Sequence, residues 1–213
     1  MAPPPKTNRC PLCTTASQLK FILTDGRDLF ECLQCGLAHV DPSTHLSESE
    51  EKLRYELHEN RPDDPEYLKF LSQLSSPLIP KIPLGSLGLD YGSGPGPAMD
   101  RLFQGHEIAN YDPFFSPRPP QGPYDFITCS EAAEHFADPR TEFFRISELL
   151  KPGGWFGLMT SCWEGKGRNW HYFRDPTHVC FFSSKTLSWI GKWLNWKPTS
   201  ISKNVTLFQK AAS

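Results

Sequence analysis

Between residues 87 and 160 the chain alternates short apolar runs with stretches of helical period. Apolar runs cover 87–91, 107–111, 124–129 and 155–160, with amphipathic stretches over 98–104 and 140–150. Short buried runs separated by helical segments predict parallel strands joined by crossover helices, so the expected fold class is α/β with a doubly wound, Rossmann-like sheet. Downstream, 183–195 keeps a helical period carrying Trp189 and Trp193, and 199–203 with 205–210 read as a hairpin that closes the sheet. Upstream, 41–83 is polar and broken by proline. Ser47 with Glu50 three residues on is a capping-box pattern for a helix reaching about Glu59. Asp64-Pro65 opens another, on which Tyr67, Leu68, Leu71 and Leu74 share a face. The expected division is 1–40, then 41–83 as a helical linker or lid, then 84–213 as the sheet domain.

The first strand of the sheet runs into Asp90-Tyr91-Gly92-Ser93-Gly94-Pro95-Gly96. A strand, a glycine-rich turn and a helix start bring backbone N–H groups against a ligand with no Cβ in the way. Asp90 would repel the phosphates of a dinucleotide, whereas a ligand with a sulfonium and an amino group would welcome it. This D-x-G-x-G-x-G arrangement resembles the first motif of the class I S-adenosylmethionine (SAM) dependent methyltransferases. The later succession of Tyr124-Asp125-Phe126-Ile127, within the strand over 124–129, and Leu149-Leu150-Lys151-Pro152-Gly153-Gly154, a turn before the strand over 155–160, is similar to the other half of that pattern. The resemblance covers roughly 87–210. It implies S-adenosyl-L-methionine held by Asp90, Gly92, Ser93, Gly94 and Gly96, with Pro113 and Ser130 at neighbouring strand tips. Asp112 ends the second strand about 20 residues past the turn, where it can accept hydrogen bonds from both ribose hydroxyls. One stretch departs from the family: 113–123 carries proline at 113, 117, 119, 120 and 123, which no helix or central strand survives. The family's third strand is therefore expected to be missing or vestigial, with Phe114 and Phe115 as substitute walls for the adenine pocket.

Cysteine usage adds a second feature. Cys10-x-x-Cys13 and Cys32-x-x-Cys35 stand 18 residues apart, and two such knuckles complete a tetrahedral four-cysteine zinc site. Apolar runs around Asp25-Gly26-Arg27 read as the hairpin between them, making 1–40 a zinc ribbon. Four protein ligands leave the zinc no open position, so its expected role is in folding. Cys129, Cys162 and Cys180 read as buried thiols. No apolar run approaches the roughly 18 residues of a membrane span, and residues 1–6 lack a signal-peptide core. The expectation is a cytoplasmic protein with no membrane partner. Disulfides are then the weaker use of the four cysteines.

Glu131, Glu134 and His135 follow the strand over 124–129, and at i, i+3 and i+4 they would share one face of a helix. Downstream, a loop rich in aromatics, Trp163 and Trp170-His171-Tyr172-Phe173, reaches His178 just before the last helix. E-x-x-E-H with a later His is similar to the ubiquinone-pathway O-methyltransferases and the small-RNA terminal 2′-O-methyltransferases. That resemblance implies Glu131, Glu134, His135 and His178 as catalytic ligands of a divalent cation, Mg²⁺ or Mn²⁺, which a vicinal diol approaches. Two readings without a metal stand beside it: helix-end residues that only cap and pack, or His135 or His178 as general base. The aromatics either roof an acceptor or pack on their own domain, and Tyr55 and His58 are the candidate lid residues. Residues 151–213 hold nine bases against Glu164 and Asp175, whereas 41–64 holds eight acids and three bases. A small-molecule acceptor is the leading partner. RNA docking on the ribbon and the basic third, with Lys166, Arg168 and Arg174, is one alternative. A non-catalytic adaptor on a methyltransferase scaffold is the other. Nothing in the sequence reports the oligomeric state.

Overall fold

The computed structural model describes residues 6–57 and 61–212, so His58 lies outside the described residues. Strands β1 (Thr7–Arg9), β2 (Ala16–Ile22), β3 (Asp28–Glu31) and β4 (Ala38–Val40) come first, followed by helices α1 (Glu48–Tyr55) and α2 (Pro65–Leu78). The alternating part follows as β5 (Leu87–Tyr91), α3 (Met99–Leu102), β6 (Glu107–Tyr111), β7 (Tyr124–Ser130), α4 (Pro139–Leu149) and β8 (Leu150–Met159). The chain ends with β9 (Cys180–Phe181), α5 (Ser184–Leu194), β10 (Trp196–Ser200) and β11 (Val205–Lys210). Six strands form one sheet in the order β10-β11-β8-β7-β5-β6, parallel from β8 to β6 and antiparallel where β11 meets β8. Leu71, Leu74 and Leu78 of α2 pack with Met99 of α3 on one face, against Phe126. Phe143, Ile146, Leu187 and Ile190 of α4 and α5 cover the other, against Phe156 and Phe208. Among the described residues no helix is long and apolar enough to cross a membrane.

Local chemistry accounts for most element ends. Ser47 and Glu50 form the reciprocal capping box that starts α1, and Asp64 caps α2 with Pro65 in its first turn. Ser183 and Thr186 make a second box for α5, which stops at Asn195 in the left-handed conformation. The helix expected over 98–104 contracts to the four residues of α3, since its start at Ala98 has no side-chain cap and Gly105 turns the chain at φ +83°. Lys151-Pro152-Gly153-Gly154, expected to lead into a strand over 155–160, is itself part of β8. Tyr124 pairs with Leu150 and Phe126 with Trp155, so Asp125 faces a four-residue bulge. Asp125 pins that bulge: it accepts from Lys151 Nζ at 2.7 Å and from Leu87 N–H, at the start of β5, at 2.9 Å. Residues 113–123 form no strand ladder, only an isolated bridge between Asp112 and Ser116, and β6 is the edge of the sheet.

The cysteine region is fused to this sheet domain. β4 pairs with β9 through Ala38–Phe181 and His39–Cys180, giving a second sheet in the order β1-β2-β3-β4-β9. Leu12, Leu29 and Leu37 share one apolar core with Phe181, Phe182 and Leu187. The Gly36 carbonyl accepts from Trp163 Nε1 at 3.2 Å and from Ser183 Oγ at 2.9 Å, and Arg140 donates to the Leu12 carbonyl at 3.1 Å. Trp163, Tyr172 and Phe173 are buried in that core, so the aromatic loop packs on its own domain. Cys129 and Cys180 are buried and Cys162 is half-buried.

Candidate active site

A cleft of about 850 Å³ opens at the C-terminal ends of β5, β6 and β7, where the strand order reverses about β5 and α/β sheets bind their ligands. Asp90 is buried in its floor and accepts from Thr128 Oγ1 at 2.8 Å. Burial pushes its carboxyl up to about 6, helped by the nearby charges of Asp100 and Asp112. Gly92 (φ +81°) and Gly94 (φ +65°) carry the turn. The N–H groups of Gly92 and Ser93 both donate to the Tyr111 carbonyl, at 2.8 and 3.1 Å, which ties the loop to β6. Asp112 braces the same loop: one oxygen accepts from Gly94 N–H at 3.0 Å, the other from Phe114 and Phe115 N–H at 2.9 and 3.1 Å. Pro113, Phe114 and Phe115 line the cleft, with Tyr67, Phe70 and Leu71 of α2 as an apolar wall; Gly96 does not line it. Tyr55 of α1 lies over Phe114 at 5.6 Å and edge-on to His135 at 5.1 Å.

Ser93 and Ser130 both line the cleft, and their hydroxyl oxygens are buried without a hydrogen-bond partner among the described residues. Buried hydroxyls normally find partners, so this wall is built for a ligand with polar groups. Buried acids at two strand tips and two unmatched hydroxyls in one cleft fit a ligand with amino and hydroxyl groups such as S-adenosylmethionine.

Beyond β7 the chain does not enter the helical turn that the Glu131/Glu134/His135 spacing suggests. Glu131 takes φ +48°, and a short 3-10 turn over Ala133–His135 follows. The ligand atoms of Glu134, His135 and His178 lie within 4.8 Å of one another, and Glu131 stands outside that set. Tyr172 connects them: its hydroxyl lies 3.1 Å from Glu131 Oε2 and donates in a short hydrogen bond to Glu134 Oε1. Thr160 Oγ1 donates to the other Glu134 oxygen at 3.0 Å. Glu134 is fully buried; burial raises both carboxyls, and Glu131 raises Glu134 further. Each imidazole is held by a backbone carbonyl. His135 Nδ1 donates to Thr177 O at 3.1 Å and His178 Nδ1 to Tyr172 O at 2.8 Å, which puts the neutral rings' lone pairs on Nε2. Fixing one ring nitrogen to orient the other is how metal-ligating histidines are held. The sequence does not single out Thr160, and it offers Tyr172 only as one aromatic of the loop, not as the hydroxyl between the two carboxyls.

Cys10, Cys13, Cys32 and Cys35 bring their sulfurs within 4.8 Å of one another, and all four are free thiols. The two knuckles are built alike. Thr14 N–H donates to Cys10 O and Gly36 N–H to Cys32 O, at 3.0 and 2.7 Å, with both donors in the left-handed conformation. Two matched knuckles aiming four thiols at one centre fit a metal ion with a closed coordination shell.

Residues 57–201 match a family model described as a methyltransferase domain. A stretch of 37 residues is 49% identical to the ubiquinone biosynthesis O-methyltransferase of Leptothrix cholodnii, covering 17% of this chain and 16% of that protein's length. The fold is similar to that of 1,6-didemethyltoxoflavin-N1-methyltransferase from Burkholderia thailandensis, solved with 1,6-didemethyltoxoflavin and S-adenosylhomocysteine bound. The TM-score is 0.56 at 17% identity, over 91% of this chain and 99% of that one. The YcgJ protein of Bacillus subtilis aligns over 63% of this chain and 71% of its own at 19% identity, with a TM-score of 0.47. The family match spans most of the chain and takes in the glycine turn, both strand-tip acids and the Glu134–His135–His178 cluster. The chain belongs to the methyltransferase domain family and carries its candidate site on a Rossmann-like α/β sheet.

Proposed function

We propose that this enzyme methylates an oxygen of a small-molecule hydroxyl or vicinal diol, with a divalent cation, Mg²⁺ or Mn²⁺, at Glu134, His135 and His178. The convergence of those three ligand atoms beside the cofactor cleft, with both Nδ1 atoms fixed by carbonyls, carries this reading. The similarity to a ubiquinone biosynthesis O-methyltransferase and to a methyltransferase solved with 1,6-didemethyltoxoflavin bound supports a small acceptor. When bound, the cofactor would supply a methyl on a sulfonium, and a cation held by Glu134, His135 and His178 would supply a Lewis acid that lowers a hydroxyl pKa. The chain supplies the rest. Asp90 and Asp112 hold the cofactor's amino and ribose groups, and Tyr172 and Thr160 orient Glu134 and keep it from turning away. Tyr55 and the Phe114-Phe115 pair exclude water, the latter in the place of the family's third strand. A zinc ion at the four cysteines serves folding.

Calorimetric titration of Mn²⁺ into protein saturated with S-adenosylhomocysteine tests the cation. Saturable binding that weakens at least about tenfold in both Glu134→Gln and His178→Ala is expected. No binding in the parent would sink the diol mechanism and leave histidine acting alone on the hydroxyl.

Asp90 gives a pH signature. Its folded-state pKa, about 6, lies above the ordinary 3.8, so between those values the folded chain holds more proton than the unfolded one. Its contribution to stability is therefore greatest at low pH and declines as pH rises through about 4 to 6. A ligand amino group prefers the carboxylate, so S-adenosylhomocysteine affinity should rise roughly tenfold from pH 5 to pH 7. Asp90→Asn should flatten that profile and weaken binding at pH 7 by about tenfold or more, while raising the melting temperature slightly. An unchanged pH profile in the variant would remove Asp90 from the cofactor site.

A further inference from the structure

Arg27 sits in the turn between β2 and β3, 7% exposed, with every guanidinium N–H committed. Nε donates to Asp25 Oδ2 at 2.7 Å. One terminal nitrogen donates to the carbonyls of Pro176 and His178, at 3.3 and 2.9 Å. The other donates to those of Phe173 and Asp175, at 2.8 and 3.1 Å. Four carbonyls of one short segment thus converge on a single planar cation, which an ammonium with three donors does not reproduce. The gripped segment carries His178. It also includes the Thr177 carbonyl that fixes His135, and it directly follows the Tyr172 carbonyl that fixes His178.

Two further contacts tie the ribbon to the same place. Phe21 of β2 lies edge-on to Phe173 at 5.9 Å. Val40 N–H, at the end of β4, donates to Val179 O at 3.1 Å, and Val179 N–H donates to Glu134 O at 2.9 Å. A path of hydrogen bonds therefore runs from the ribbon through the residue after His178 to the backbone of Glu134.

We infer that Arg27 is a positioning residue for the Glu134–His135–His178 site, and that through it the four-cysteine ribbon sets the geometry in which the methyl acceptor is held. The inference deepens the cation reading above and rests on it. All four carbonyls that Arg27 grips belong to residues 173–178, the segment that carries His178 and the Thr177 carbonyl bonded to His135. The buried cation of the ribbon is spent on that segment.

The test uses the full, zinc-loaded chain as Arg27→Met and Arg27→Lys. Four quantities are read: zinc per chain, S-adenosylhomocysteine affinity, Mn²⁺ affinity by calorimetry, and amide hydrogen exchange over 173–179 by mass spectrometry. Arg27→Met should keep its zinc and bind S-adenosylhomocysteine within about threefold of the parent, while Mn²⁺ affinity falls about tenfold or more and 173–179 exchanges faster. Arg27→Lys should fall between the two, and it decides the matter if Arg27→Met does not fold. Mn²⁺ affinity and loop exchange both at parental values would overturn the inference, as would loss of zinc, cofactor and Mn²⁺ binding in parallel. A parent that binds no Mn²⁺ sinks the cation reading alone. Positioning is then decided by the loop exchange and by the imidazole NMR shift of His178, which should move in Arg27→Met; an unmoved shift overturns it.

Discussion

Gly92→Ala is expected to remove at least about 99% of S-adenosylhomocysteine affinity in a chain that still folds, equivalent to about 3 kcal/mol or more. Two costs coincide at this position. The backbone holds φ +81°, where an added Cβ costs about 1–2 kcal/mol. That Cβ would also lie 2.4 Å from the Ala132 Cβ, far inside contact, so something must move. The loop is braced on its other side by the Tyr111 carbonyl and by Asp112 through Gly94, which leaves displacement of Ala132 as the remaining relief. Ala132 stands between Glu131 and the 3-10 turn carrying Glu134 and His135, so relief there disturbs both halves of the site. Gly94→Ala is the internal control. Its φ is +65° but a Cβ there meets nothing within 4 Å, so only the conformational cost applies and affinity should fall about tenfold. Calorimetry with S-adenosylhomocysteine, beside a thermal melt, checks both. Equal losses in the two variants would show that backbone conformation alone, and not the approach to Ala132, governs the turn.

The contrast between those glycines marks how far the sequence reaches. Alternation of apolar runs and helical stretches was enough to place β5, β6 and β7 and the acids Asp90 and Asp112, because those features are local and periodic, whereas the strand expected over 199–203 lies at Trp196–Ser200 and the one expected over 155–160 begins at Leu150. The knuckles were legible for the same reason: C-x-x-C followed by a left-handed residue is one self-contained turn. Glu131 shows the opposite case. Its spacing from Glu134 and His135 fits a helix, but it adopts φ +48°, which only the tertiary environment imposes on a glutamate. The aromatic loop was ambiguous between roof and core because burial cannot be read from composition; Tyr172 proves to be a core residue whose hydroxyl reaches the carboxyls of Glu131 and Glu134. The bulge at 151–154 follows from register against β7, and Arg27 reaches carbonyls about 150 positions away. Long-range pairing of that kind leaves no trace in local pattern.

Loss of the four-cysteine metal is expected to lower the melting temperature of the whole chain, in one transition, by roughly 10 °C. Ribbon cysteines that ligate a metal couple its binding to folding. A site closed by Cys10, Cys13, Cys32 and Cys35 holds two knuckles whose local hydrogen bonds alone are few. A separate, early melting of the ribbon would follow if it had its own core, but Leu12, Leu29 and Leu37 are buried together with Phe181, Phe182 and Leu187 of the sheet domain. Opening the ribbon also strips β9 of its partner β4 and leaves the Gly36, Phe173 and His178 carbonyls without Trp163, Ser183 and Arg27 as donors. A loss of only ~3 kcal/mol from these sources corresponds to about 10 °C in a chain of this size. Scanning calorimetry of the parent with and without a chelator, and of Cys35→Ser, checks the prediction. A low-temperature shoulder with the main transition unmoved would mean that the two parts fold independently. A single displaced transition, with methyl transfer lost at temperatures where the metal-loaded parent is still active, would tie the stability of the ribbon to the loop that carries His178.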